Sequence, residues 1–216
     1  IKLLYIAPER LALLDFKLFL KELPIALIAI DEAHCISEWG HEFRPDYRNL
    51  QHCKQILFPD VPIIALTATA TPKVKEDIIS QLHLPSPKVF LSSFDRPNLF
   101  INVRPKQQAA KEILSLLEKH KGEAVIIYCL SRKETETLAS SLKKEGHKAA
   151  AYHAGMNSEE RRIAQDRFKK DQISIIVATV AFGMGIDKPD VRLVIHYSLP
   201  KSIEGYYQEI GRAGRD

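Results

Sequence analysis

Short apolar runs alternate with helix-period segments along the whole chain, and this alternation constrains the fold more than any other feature. Such a pattern predicts parallel sheets, because parallel neighbours are joined by crossover helices rather than tight turns. Strands are expected over 3–7, 25–31, 62–67 and 88–92, then over 99–104, 124–130, 148–153, 173–178 and 191–197. Helical spacing covers 47–58, 72–82, 106–120, 132–145, 157–170 and 202–210. Several boundaries carry their own chemistry. Thr71 followed by Pro72 reads as an N-cap and first-turn pair, and Ser131-x-x-Glu134 and Asn157-x-x-Glu160 read as capping boxes. Gly146 stands where a helix should end. Polar residues and a proline at Ser92–Pro97 mark a linker over 93–97, dividing the chain into 1–92 and 98–216.

At 216 residues the chain can bury a proper core, and 45% hydrophobic with 27% charged residues is ordinary for a globular protein. The apolar runs fall well short of a membrane span and Ile1 opens no signal-peptide pattern, so an intracellular protein without membrane contact is expected. Cys35, Cys53 and Cys129 form no C-x-x-C pair, which argues against a disulfide framework and a zinc site. The net charge of +4 is uneven. Residues 1–93 hold 10 Lys and Arg against 11 Asp and Glu, whereas 94–216 hold 21 against 16. A basic second half suits a phosphate-backbone partner, although Lys143-Lys144 and Lys169-Lys170 read equally well as solvated helix faces.

Two groups of residues carry chemistry. Asp31 and Glu32 close an apolar run, so their carboxylates should emerge at the strand's C-terminal edge, where α/β sheets bind ligands. An acidic pair there can hold a magnesium ion, with Asp31 as its ligand through water, and can activate a water through Glu32. Gln208, Arg212 and Arg215 lie at the other end, with Arg212 four residues after Gln208, as on one helix face. Two such arginines can meet the charge that develops on a transferring γ-phosphoryl group. The economical reading is two domains serving one nucleotide.

The intervening residues make a resemblance specific. Asp31-Glu32-Ala33-His34, followed by Cys35 to Tyr47 with Trp39-Gly40-His41-Glu42-Phe43-Arg44-Pro45, resembles the DEAH box and aromatic-rich loop of RecQ-type DNA helicases. The same family pattern matches Ala7–Leu11, Ala65–Ala70, Phe94-Asp95-Arg96-Pro97-Asn98-Leu99, Tyr152–Met156 and Ala178–Asp187, in order over nearly the whole chain. The resemblance implies two RecA-like α/β parallel-sheet domains, the first truncated at its N-terminus and the second at its C-terminus. It implies ATP and Mg2+, single-stranded or partly duplex DNA as partner, 3′-to-5′ unwinding, and work in DNA recombination and repair. One departure is plain: no G-x-x-x-x-G-K-[ST] phosphate loop occurs, so the 216 residues alone are expected to hydrolyse ATP negligibly.

By the same resemblance, Arg215 is the arginine finger and Arg212 a second γ-phosphate contact. His34, Thr67 and Thr69 couple nucleotide state to DNA grip, and Gly185 and Asp187 approach the nucleotide. Arg10, Trp39, His41, Phe43, Arg44, Arg132, His153 and Thr179 face DNA. From pattern alone, Trp39 and Phe43 fit base stacking and loop-pinning about equally. Two other readings stand beside this one: an RNA helicase of the DEAH or DEAD type, which lacks the aromatic-rich loop, and a passive DNA binder without hydrolysis.

Overall fold

The computed structural model describes residues 2–38, 43–93, 95–183 and 188–215, and all of His52 but its side chain. The chain divides into two compact units, Ile1–Ser92 and Ser93–Asp216.

In the first unit, strands β1 (Ile28–Ile30) and β2 (Ile63–Ala65) pair in parallel, with Ile28 opposite Ile63 and Ile30 opposite Ala65. Two further bonds carry the pairing past the strand ends: Leu66 N–H to Ile30 O at 2.8 Å and Ala33 N–H to Leu66 O at 2.9 Å. A short 3-10 turn at Ala33–Ile36 packs with Val74 and Ile78 of helix α3 (Pro72–Gln81) into one buried cluster around Ile30. Thr71 caps α3, its side chain accepting the Val74 N–H at 3.3 Å, as the Thr71-Pro72 pair predicts. Helix α1 (Leu14–Lys21) and helix α2 (Arg48–His52), which continues as a π turn over Cys53–Leu57, supply Leu20 and Cys53 to a second cluster with Leu11 and Phe58.

The second unit is built on a four-stranded parallel sheet in the order β4-β5-β3-β6, formed by β3 (Ala124–Tyr128), β4 (Ala149–Tyr152), β5 (Ile175–Ala178) and β6 (Val191–His196). Alternate residues of one strand enter different cores. Ala124, Ile126 and Tyr128 join Ala164 and Phe168 of helix α6 (Ser158–Lys169). Val125 and Ile127 join Ile113 and Leu117 of helix α4 (Ala109–Lys119) and Ala139 and Leu142 of helix α5 (Arg132–Lys144). Helices therefore cover both faces, which is why β3 is buried at every position. Both predicted capping boxes form, at Ser131 with Glu134 and at Asn157 with Glu160. Helix α7 (Ile203–Ile210) closes the unit.

Three expected strands are corrected. Residues 3–7, 88–92 and 99–104 have no strand neighbour among the described residues, and Leu3, Tyr5, Phe90, Leu91, Phe100 and Val103 are exposed. An apolar run becomes a strand only when a second strand takes its N–H and C=O groups. The expected helix 47–58 is a composite of 3-10, α and π turns, and α1 lies where no element was expected. Among the described residues, no helix is long and apolar enough to cross a membrane.

Candidate nucleotide and nucleic-acid site

The acidic pair sits where β1 ends. Asp31 is exposed, and its Oδ1 accepts the Glu32 N–H at 2.9 Å. Glu32 adopts the left-handed conformation, with φ 48° and ψ 42°, which costs a non-glycine residue about 1 kcal/mol or more. Strain of this kind persists where the surroundings fix the backbone, and here the Ala33 amide is tied to Leu66 of the neighbouring strand.

That same tie brings the two threonines to the pair. His34 is fully buried, and its Nδ1 lies 2.9 Å from Thr67 Oγ1 and 3.3 Å from Glu32 Oε2. In the tautomer that carries a proton on Nδ1, the imidazole donates towards these oxygens. Thr67 Oγ1 also accepts the Thr69 N–H at 3.3 Å, and the Thr69 hydroxyl is buried with no hydrogen-bond partner. A buried hydroxyl in that state costs about 1–3 kcal/mol. Tyr47 O–H donates to Asp31 O at 3.3 Å, and burial raises its pKa, so the group stays a neutral donor.

The aromatic-rich loop is described from Phe43 onward; Trp39 and His41 lie outside the described residues. Arg44 N–H closes the loop on Cys35 O at 2.9 Å, while its guanidinium pairs with Glu9 and lies 5.6 Å from the Tyr47 ring. Phe43 is half-buried under Arg48, 5.2 Å from the ring centre, and exposed Arg10 covers Phe16 at 4.9 Å. Phe43 thus joins neither apolar cluster of the first unit, and Arg10 and Arg44 stay solvent-accessible.

In the second unit the expected nucleic-acid residues share one edge of the sheet, because parallel strands all end on the same side. Arg132 begins α5 after β3, His153 follows β4, and Thr179 follows β5. Arg132 lies against Gly155: a Cβ there would meet its Nη1 at 2.9 Å, so a side chain at 155 would make the guanidinium shift. His153 is buried, its Nε2 2.9 Å from Glu136 Oε1 and its Nδ1 without a partner. Half-buried Thr179 donates its N–H to Tyr152 O at 3.1 Å. Burial pushes the neighbouring Cys129 thiol up to about 11, which excludes it as a thiolate nucleophile at neutral pH.

Gln208 is half-buried on α7, but that helix ends at Ile210, so Arg212 does not follow on its face as the i, i+4 spacing predicts. Tighter bonds replace the helical ones, from Arg212 N–H to Glu209 O at 3.3 Å and from Ala213 N–H to Ile210 O at 3.0 Å. Arg212 passes beside Gly183, where a Cβ would stand 3.1 Å from Nη2, and its Nε is buried without a partner among the described residues. Arg215 is exposed and donates its Nε–H to Gly211 O at 3.0 Å. Gly185 and Asp187 lie outside the described residues.

Sequence reasoning missed Arg96, Asn98, Glu136 and Glu209. Arg96 reads as linker and Asn98 as the first residue after it, yet both donate to the arginine-bearing turn. Glu209 is buried and sits 2.7 Å from His196 Nε2. A charged residue between Gln208 and Ile210 gave no local sign of burial.

Comparison with known proteins places these features in context. The DEAD/DEAH box helicase family model matches residues 1–78, and the helicase conserved C-terminal domain model matches residues 106–216. The ATP-dependent DNA helicase Q-like 4B of Arabidopsis thaliana is 52% identical over 222 residues, covering 100% of this chain and 19% of that protein. The ATP-dependent DNA helicase RecQ of Pasteurella multocida is 47% identical over 216 residues, covering 100% of this chain and 34% of that protein. The chain thus spans about a fifth to about a third of the length of these relatives. In fold it resembles Saccharomyces cerevisiae Dbp5 bound to RNA and ADP BeF3, with a TM-score of 0.70 at 21% identity over 95% of this chain and 54% of that one.

Proposed function

Because the chain belongs to the RecQ family of ATP-dependent DNA helicases, we propose that these residues form part of a DNA-stimulated ATP-hydrolysing motor. The observation that carries this reading is the Glu32–His34–Thr67 arrangement: a strained, half-buried carboxylate held against a buried imidazole, itself held by the next strand. Such an arrangement lets a change at the carboxylate move the Thr67–Thr69 turn.

The donor chemistry at β1 fits magnesium. Magnesium prefers oxygen ligands and keeps several waters, and Asp31 offers an exposed carboxylate. No group of three or more His, Cys, Asp or Glu suited to a metal occurs among the described residues, so Asp31 is expected to hold the ion through water beside the nucleotide's phosphates. When bound, the ion neutralises phosphate charge. Glu32 orients the attacking water and takes its proton. Arg215 and Arg212 stabilise the charge that builds on the transferred group, and Gln208 positions the water or phosphate near them. Arg132, the amides after His153, and Thr179 hold the backbone of single-stranded DNA, with Arg10, Phe43 and Arg44 contacting DNA from the first unit.

ATP turnover by the natural polypeptide carrying this sequence tests the reading. Strong stimulation by single-stranded DNA is expected, with Glu32→Gln lowering kcat by about 10²–10⁴-fold while ATP still binds. Residues 1–216 alone, having no glycine-rich phosphate loop, are expected to turn over ATP negligibly. Stimulation by RNA and not by DNA, or DNA binding with no turnover, would overturn the proposal.

A further inference from the structure

The turn that carries Arg212 and Arg215 is held by residues more than a hundred positions upstream. Arg96 Nη2 donates to Gly214 O at 2.6 Å and to Ala213 O at 3.3 Å, and Asn98 Nδ2 donates to Gly214 O at 2.8 Å. Gly214 N–H in turn donates to Val191 O at 3.2 Å, at the start of β6. Gly214 has φ +62°, and a Cβ on it would fall 2.6 Å from Asn98 Nδ2 and 3.0 Å from Leu99 Cδ2. The glycine is therefore required twice, by its backbone angle and by the side chains lying on it. Ala213 is buried in the core and Leu99 packs against the same core, so both ends of this contact are anchored.

We propose that Arg96 and Asn98 are positioning residues for the phosphate-facing arginines, an inference that rests on the role assigned above to Arg212 and Arg215. Neither side chain need touch the nucleotide. They satisfy the carbonyls of Ala213 and Gly214, the two residues that separate Arg212 from Arg215, and so fix the backbone from which both guanidinium groups project. Without them, the turn past the end of α7 keeps the Gly214–Val191 bond but loses three hydrogen bonds from the opposite side. A guanidinium displaced by about 1 Å from a developing charge loses on the order of a hundredfold in rate. Because that charge exists only in the transition state, the loss belongs in kcat and not in nucleotide affinity.

The experiment uses the natural polypeptide with Arg96→Ala, Arg96→Lys, Asn98→Ala and Asn98→Asp, beside Arg215→Ala. The Asn98→Asp variant keeps the size of the side chain but turns a donor into an acceptor facing Gly214 O, so it reads the same bond should the alanine variants fold poorly. Expected are a fall in DNA-stimulated kcat of about ten- to a hundredfold for the Ala and Asp variants, KM for ATP within about twofold, and partial recovery in Arg96→Lys. Amide exchange at Gly214 should accelerate about tenfold in the same variants, with exchange in β3 and β5 unchanged. Unaltered kcat, or a loss carried by KM, overturns the proposal. Should the unmodified protein show no DNA-stimulated turnover, or Arg215→Ala retain it, the functional reading fails, and the exchange measurement alone then decides the strap: unchanged exchange at Gly214 overturns it.

Discussion

At residue scale one hydroxyl oxygen takes two bonds at the site. Thr67 Oγ1 meets His34 Nδ1 at 2.9 Å and accepts the Thr69 N–H, so it joins the acidic pair to the neighbouring strand. Thr67→Val keeps the shape of the side chain and removes that oxygen. A destabilisation of about 1–3 kcal/mol is expected, because a buried imidazole and a backbone amide both lose a partner. For a unit of this size each kcal/mol lowers Tm by about 4–8 °C, which calorimetry can read. The acidic pair and the arginines were legible in the sequence because their chemistry needs those residue types. The family resemblance singled out His34 and Thr67 but not the contact between them: 33 positions separate the two, and no local pattern reports a contact across two strands.

At the scale of elements, legibility followed local chemistry. Helices α5 and α6 announce their first turns through Ser131 with Glu134 and Asn157 with Glu160, and both boxes form. Ser131→Ala should cost about 1 kcal/mol, visible as a lower denaturant midpoint with an unchanged slope. Helix α1 gives no such signal. Leu13, Leu14, Leu18 and Phe19 are exposed while Leu20 is buried, so apolar residues encircle the helix and blur its period. The runs at 3–7, 88–92 and 99–104 fail for the opposite reason. Their composition suits a strand, but strand formation is decided by a neighbour that composition cannot name.

On the scale of the whole molecule, the excess of positive charge lies in residues 94–216, but the arginines assigned to DNA are shared between the units: Arg10, Arg44 and Arg132. Three phosphate neutralisations on a single strand give a slope of log affinity against log salt of about −2. Raising salt from about 50 to 200 mM should therefore weaken binding by about twentyfold, and Arg132→Ala should flatten the slope by about 0.7. A fluorescence titration of a labelled single strand across salt concentrations reads both. A flat slope would show that these arginines make no phosphate contacts.

The strand order β4-β5-β3-β6 also sets a timetable for synthesis. The ribosome releases β3 first and β4 next, yet these two are not neighbours. Strand β3, buried at every position in the folded unit, waits from Tyr128 until Ile175 for its first partner, and until Val191 for its second. At about 5–20 residues per second, that leaves an unpaired hydrophobic strand beside the ribosome for several seconds in every chain made. The topology that gathers the ends of β3, β4 and β5 on one edge thus makes each nascent chain, in that interval, a client for whatever shields apolar segments in the cell.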